Sequence, residues 1–164
     1  MNQPTSTFKA SSSRTFAGTT LLPSLLVVDD EPSVLEMLHD ALDLWGFDVF
    51  LAKNGREGLD VLAKQKVDGM LVDLDMPVMD GLTMLDEVRW LGYRMPVVMM
   101  SGGERGAALR KLVQEGAQGF IRKPFSLSHL RDLCTTVFKT QSLCVPDTDC
   151  LPVNHGAKTS VGEH

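Results

Sequence analysis

The sequence predicts an α/β fold, a doubly wound five-stranded parallel sheet in the order 2-1-3-4-5. Two observations lead there. Five apolar runs of strand length alternate with segments of helical spacing, the pattern of repeated βα units. The runs are also continuous instead of alternating, as expected of parallel strands covered by helices on both faces. Right-handed crossovers then wind the units into that order, and ligands bind beyond the carboxyl ends of strands one and three, where the order reverses.

The first strand reads Leu25 to Val28, and after Asp29-Asp30-Glu31 a helix starts at Pro32, whose missing N–H costs nothing at that position. Val34, Leu35, Leu38, Leu42 and Trp45 mark its buried face, and Gly46 ends it. Phe47 to Ala52 form the second strand, followed by a helix with Leu59, Val61 and Leu62. Gly69 to Val72 form the third strand. The loop Asp73 to Gly81 leads into a helix with Leu82, Leu85 and Val88. Pro96 to Met100 make strand four, and Ser101-Gly102-Gly103 opens a loop before a fourth helix with Leu109, Leu112 and Val113. Gly102, Gly103 and Gly106 are expected to leave that loop and helix start mobile. Gly119 to Ile121 form the fifth strand, Lys123-Pro124-Phe125 a turn, and Ser126 caps a last helix with Leu127, Leu130, Leu133 and Val137.

The 164 residues suffice for one domain with a genuine core. Hydrophobic residues make up 43% and charged residues 23%, which is globular, and a net charge of -5 offers no broad attraction for nucleic acid. No stretch approaches the roughly 18 uncharged apolar residues of a membrane span. The expected organisation is a disordered tail over 1–23, a folded domain over 24–140 and a flexible tail over 141–164. The acid-free, Ser- and Thr-rich first segment also suits a transit peptide, the less economical reading. Cys134, Cys144 and Cys150 are odd in number and sit in the last third, so a secreted disulfide framework is not expected and a reducing, cytoplasmic setting is. Cys144, Cys150 and His155 lack the paired short spacings of a zinc site.

The chemistry lies at the carboxyl ends of the strands. Asp29 and Asp30 follow the first apolar run, and Asp73 and Asp75 follow the third. Carboxylates gathered in a partly dry cleft repel unless a cation offsets them. Hard oxygen ligands without neighbouring His or Cys point to Mg²⁺. Lys123 ends strand five and Ser101 ends strand four, so an ammonium and a hydroxyl join the same rim. Together they suit a phosphoryl group carried by Asp73 as nucleophile, with catalysis supplied mainly by positioning and charge neutralisation.

Four segments carry a family resemblance: Val27-Val28-Asp29-Asp30-Glu31-Pro32, the run Asp73-Leu74-Asp75-Met76-Pro77-Val78-Met79-Asp80-Gly81, Ser101-Gly102, and Lys123-Pro124-Phe125. In order and spacing they resemble the receiver domain of two-component response regulators over residues 24–140. The resemblance implies that Asp73 is the phosphoacceptor, that Asp30 binds Mg²⁺ directly, and that Asp29 assists through water or an outer contact. By the same resemblance Asp75 is expected to lend its backbone carbonyl to the metal, and its side chain to orient or repel attacking water opposite Gly103. Ser101 and Phe120 are the implied switch residues, and Lys123 pairs with the phosphoryl group. The implied output face is the fourth helix, fifth strand and fifth helix, which also offers a route to a homodimer.

The implied donor is a phosphohistidine on a histidine kinase or histidine phosphotransfer protein, contacting the first helix near Ser33, Val34 and Met37. After the last helix only a short segment remains, so a stand-alone receiver acting on a downstream protein effector is expected, with no direct contact to nucleic acid or membrane. A fragment of a longer regulator is the alternative. Two other readings compete. Asp73-Leu74-Asp75 also resembles the nucleophile pair of haloacid-dehalogenase-type phosphatases, although that family carries it on the first strand with a cap domain. A flavodoxin-like redox module shares the sheet order, but no Ser/Thr/Gly cluster follows strand one to hold a flavin phosphate.

Overall fold

The computed structural model describes residues 23–103 and 116–139. Five strands, β1 (Ser24–Val28), β2 (Asp48–Ala52), β3 (Gly69–Asp73), β4 (Val97–Ser101) and β5 (Gly119–Arg122), form one parallel sheet in the order β2-β1-β3-β4-β5. The helices α1 (Pro32–Leu44), α2 (Gly55–Lys64) and α3 (Gly81–Trp90) follow the first three strands, and a C-terminal helix (Leu127–Cys134) follows β5. The expected fourth helix with Leu109, Leu112 and Val113, together with Gly106 and the residues Cys144, Cys150 and His155, lies outside the described residues.

Side-chain alternation along the strands builds two apolar layers. Leu25, Val27, Leu71, Val98, Met100 and Ile121 pack against α1 and the C-terminal helix. Leu26, Val28, Met70, Val72 and Met99 pack against α2 and α3. Both β3 and β4 are buried along their whole length, which is why neither shows a polar face. Each such side chain taken fully from water stabilises the fold by roughly 1.5–3 kcal/mol before entropy is counted.

The helix starts follow from local chemistry. Pro32 opens α1. Asn54 accepts the Glu57 N–H at 3.0 Å while the Glu57 carboxylate accepts the Lys53 N–H at 3.0 Å, a reciprocal cap on α2. Asp80 accepts the Thr83 N–H at 2.7 Å, and Ser126 accepts the His129 N–H at 3.2 Å.

The last helix departs from expectation. Leu127, expected on its buried face, is 44% exposed, and the seam runs instead through Leu130, Cys134 and Phe138, with Leu133 and Val137 half-buried. A π-helical turn over Thr135–Lys139 continues the helix. Its extra residue per turn shifts the face, and Phe138 meets Phe47 with ring centroids 6.5 Å apart in an edge-on arrangement. Cys134 is core packing, its thiol pushed up to about 12 by burial.

At the amino-terminal edge of the sheet, Arg89 joins several backbones. Its guanidinium donates to the carbonyls of Tyr93 and Met95 at 3.1 Å and of Gly116 at 2.7 Å, and to Gln118 Oε1 at 3.2 Å. Gln118 Oε1 also accepts the Val97 N–H at 2.8 Å. This planar fork thereby ties the end of α3 to the start of β4 and the approach to β5. Among the described residues, no helix is long and apolar enough to cross a membrane.

Candidate functional site

The carboxyl edge is assembled from the ends of β1, β3, β4 and β5. Asp29 leaves β1 with its N–H donating to the Ala52 carbonyl at 3.1 Å, and its Oδ1 accepts the Glu31 N–H at 3.0 Å. Asp73 is the last residue of β3 and Ser101 the last of β4. Lys123 follows β5 directly, its N–H donating to the Ser101 carbonyl at 2.8 Å.

The side chains converge as their strand-end positions suggested. One carboxylate oxygen each from Asp29, Asp30 and Asp73 lies within 4.8 Å of the others. Lys123 Nζ donates to Asp29 Oδ2 at 2.7 Å, sits 3.1 Å from Asp73 Oδ1, and reaches Glu31 Oε1 at 3.9 Å. Asp29 and Asp73 are buried, whereas Asp30 is exposed, so the pocket has a wet side and a dry side. Ser101 is fully buried, and its Oγ accepts the Gly103 N–H at 3.3 Å. Asp75 stands exposed on the loop after β3, outside the carboxylate cluster. Phe120 is half-buried against the α2/α3 layer.

Burial raises the Asp73 pKa above its ordinary value of 3.8; the Lys123 hydrogen bond and charge oppose this, and the charges of Asp29 and Asp30 reinforce it. For Lys123, burial acts to lower the pKa, but hydrogen bonds to Asp29 and Asp73 and their charges outweigh it, and the value rises. The amine therefore stays an ammonium. Three carboxylates against one ammonium leave the cleft net negative. An all-oxygen donor set containing neither His nor Cys fits a hard divalent cation such as Mg²⁺.

Sequence reading passed over two contributors. Glu31 extends the acidic group toward Lys123, and its adjacency to Asp29-Asp30 is the signal the sequence offers. Gly81 matters through packing. Its N–H donates to the Leu74 carbonyl at 3.1 Å, and a Cβ there would run into the Asp73 carbonyl oxygen. Only the folded arrangement reveals that approach.

The family model for the response regulator receiver domain matches residues 25–135. The chain belongs to the response regulator receiver family. Among curated proteins, this receiver is 35% identical over 124 residues to Regulatory protein AtoC of Escherichia coli strain K12, covering 76% of this chain and 27% of that protein. It is 34% identical over 106 residues to Response regulator MprA of Mycolicibacterium vanbaalenii, covering 65% of this chain and 46% of that protein. The receiver thus spans less than half the length of both.

Solved structures agree. A CheY-like receiver from Methanospirillum hungatei JF-1 superposes with a TM-score of 0.70 at 25% identity, over 74% of this chain and 97% of that one. Chemotaxis protein CheY4 of Vibrio cholerae gives 0.69 at 29% identity, over 71% and 99%. Receivers of this family serve two-component signalling with histidine kinases or phosphotransfer proteins. Neither the phosphatase nor the flavin module weighed from the sequence belongs to it.

Proposed function

We propose that this receiver is a phosphorylation switch that takes a phosphoryl group from a phosphohistidine donor onto Asp73 in a Mg²⁺-dependent reaction. The observation that carries the reading is the Lys123 ammonium, held between Asp29 and Asp73 beside three converging carboxylates. A carboxylate oxygen of Asp73 attacks phosphorus, the P–N bond to the donor imidazole breaks, and the departing nitrogen keeps the bond pair and takes up a proton. Asp30, Asp73 and the Asp75 backbone carbonyl, with Asp29 assisting, would hold Mg²⁺, which would supply positive charge to offset that of the phosphoryl oxygens. Lys123 donates to one of those oxygens.

Ser101 offers its hydroxyl to the phosphoryl group, giving up its contact with the Gly103 N–H, and Phe120 takes the space this frees. The signal then leaves through the face of the predicted fourth helix, β5 and the C-terminal helix to a protein effector, or to a second copy of the chain. The donor approaches α1, where Ser33 and Met37 are exposed and Val34 is half-buried. Asp75 and the side-chain-free Gly103 govern access of water for hydrolysis. The setting is cytoplasmic, with no direct role for nucleic acid.

Incubation with acetyl phosphate and Mg²⁺ is expected to add one phosphoryl group to the wild type and none to Asp73→Asn, read by intact-protein mass. Labelling that survives the substitution overturns the assignment. A second reading, that the chain is one part of a longer regulator, is favoured by its covering 27% and 46% of the relatives' lengths. The mass of the native protein in its source cells separates the two. A species well above 18.0 kDa ends the stand-alone reading, and one at that mass ends the other.

A further inference from the structure

Among the described non-glycine residues, Val78 alone adopts a positive φ, at 71°. The Met79 N–H donates to the Pro77 carbonyl at 2.8 Å, closing a three-residue turn around Val78. Turns of this hand at the central residue are rare and strained, and a β-branched side chain in the left-handed region is a genuine outlier. Val78 is 83% exposed, so packing of its own side chain does not hold it there.

The restraint comes from both flanks. Met76 and Met79 are buried on either side of the Pro77-Val78 pair. Met79 accepts the Gly55 N–H at 3.3 Å, and its side chain lies so close over Gly55 that a Cβ there would fall 2.6 Å from Met79 Cγ. On the other side, the Leu74 N–H donates to the Met100 carbonyl at 2.9 Å. The chain between these anchors is too short to relax, and Asp75 lies inside it, between buried Leu74 and buried Met76.

We propose that the Val78 turn, latched by Met79 onto Gly55, is a positioning element that holds the Asp75 backbone in a metal-ready arrangement before any ion binds. The inference rests on the Mg²⁺ reading of the site. Backbone strain persists only where the surroundings over-determine it, and it collects at functional loops for that reason. A preset loop spares the ion the entropy of ordering its ligands.

Val78→Asn keeps the turn, because Asn tolerates positive φ, and removes the strain. Its metal-free melting temperature is expected to rise by about 3–5 °C. Val78→Pro locks φ near -65° and forbids the turn. It is expected to weaken Mg²⁺ binding about tenfold by calorimetry with the metal alone, with the circular dichroism of a folded protein. If the proline variant does not fold, Met79→Ala, which empties the seat over Gly55, decides the matter with the same loss of affinity. No rise in melting temperature for Val78→Asn overturns the proposal, as does wild-type Mg²⁺ affinity in the variant that breaks the latch. A wild type that binds no Mg²⁺ sinks the metal reading itself, whereas normal wild-type binding with unaffected variants sinks only the latch.

Discussion

Lys123→Ala should lower phosphoryl transfer from acetyl phosphate by about 100-fold or more, the scale of losing one preorganised donor to a developing charge. The same change should destabilise the metal-free protein by about 2–3 kcal/mol at neutral pH, because removing one partner strands buried charge. Lys123 Nζ is the cation placed between Asp29 and Asp73. Without it, only protonation or a metal ion relieves the cluster.

The sign of the pH dependence follows. In the folded protein Asp73 titrates above 3.8, so folding favours its protonated form. Stability from that source is complete below about pH 3.8 and is lost as pH rises through the folded value. The Lys123 contribution, with a folded pKa above 10.5, is present across neutral pH and fades only as pH rises through that value. Thermal melts of variant and wild type should therefore diverge as pH goes from about 4 to 8 and draw together when Mg²⁺ is added. A gap indifferent to both pH and Mg²⁺ would show that Lys123 does not neutralise this cluster.

Gly81→Ala should be the most damaging single methyl group in the described chain. The new Cβ meets the Asp73 carbonyl oxygen and comes to 3.0 Å from Met99 Cε. The methionine can swing away, but the carbonyl cannot, because it belongs to the paired end of β3. Relief requires moving Asp73 or the first turn of α3. Overpacking of this kind costs about 3 kcal/mol, and a displaced Asp73 should lose at least tenfold in labelling rate. Gly92→Ala is the control: its φ of +87° makes a side chain strained, but a Cβ there has nothing within 4 Å. That variant should lose about 1–2 kcal/mol and label normally. Equal labelling in Gly81→Ala and Gly92→Ala would refute the close-approach argument.

Much of this architecture is legible in the sequence because a parallel sheet leaves plain marks. The run Leu25 to Val28 is apolar throughout since helices cover both faces, and Asp29 marks where the chain emerges from them. The same logic located Asp73, Ser101 and Lys123, each placed by where its strand stops. Boundaries moved by a residue: Asp73 and Ser101 belong to their strands, because pairing continues to the edge. Leu127 is exposed at the first position of its helix, which spacing alone does not reveal, and the π-turn further on that brings Phe138 into the core has no periodic mark either. Glu31, Gly81 and the Met79–Gly55 contact escaped notice for another reason. Each depends on a distance between segments remote in sequence or on the reach of a particular side chain, and neither has a periodic signature.

The two rims of the sheet are braced unequally. At one, a single guanidinium clasps three main-chain oxygens and leaves the starts of two neighbouring strands little play; at the other, loops are drawn together by one amine among carboxylates. A disturbance delivered at the second rim meets stiff resistance below and compliance around it. Deformation should therefore spread sideways, from loop to loop, while the β-ladder beneath stays still.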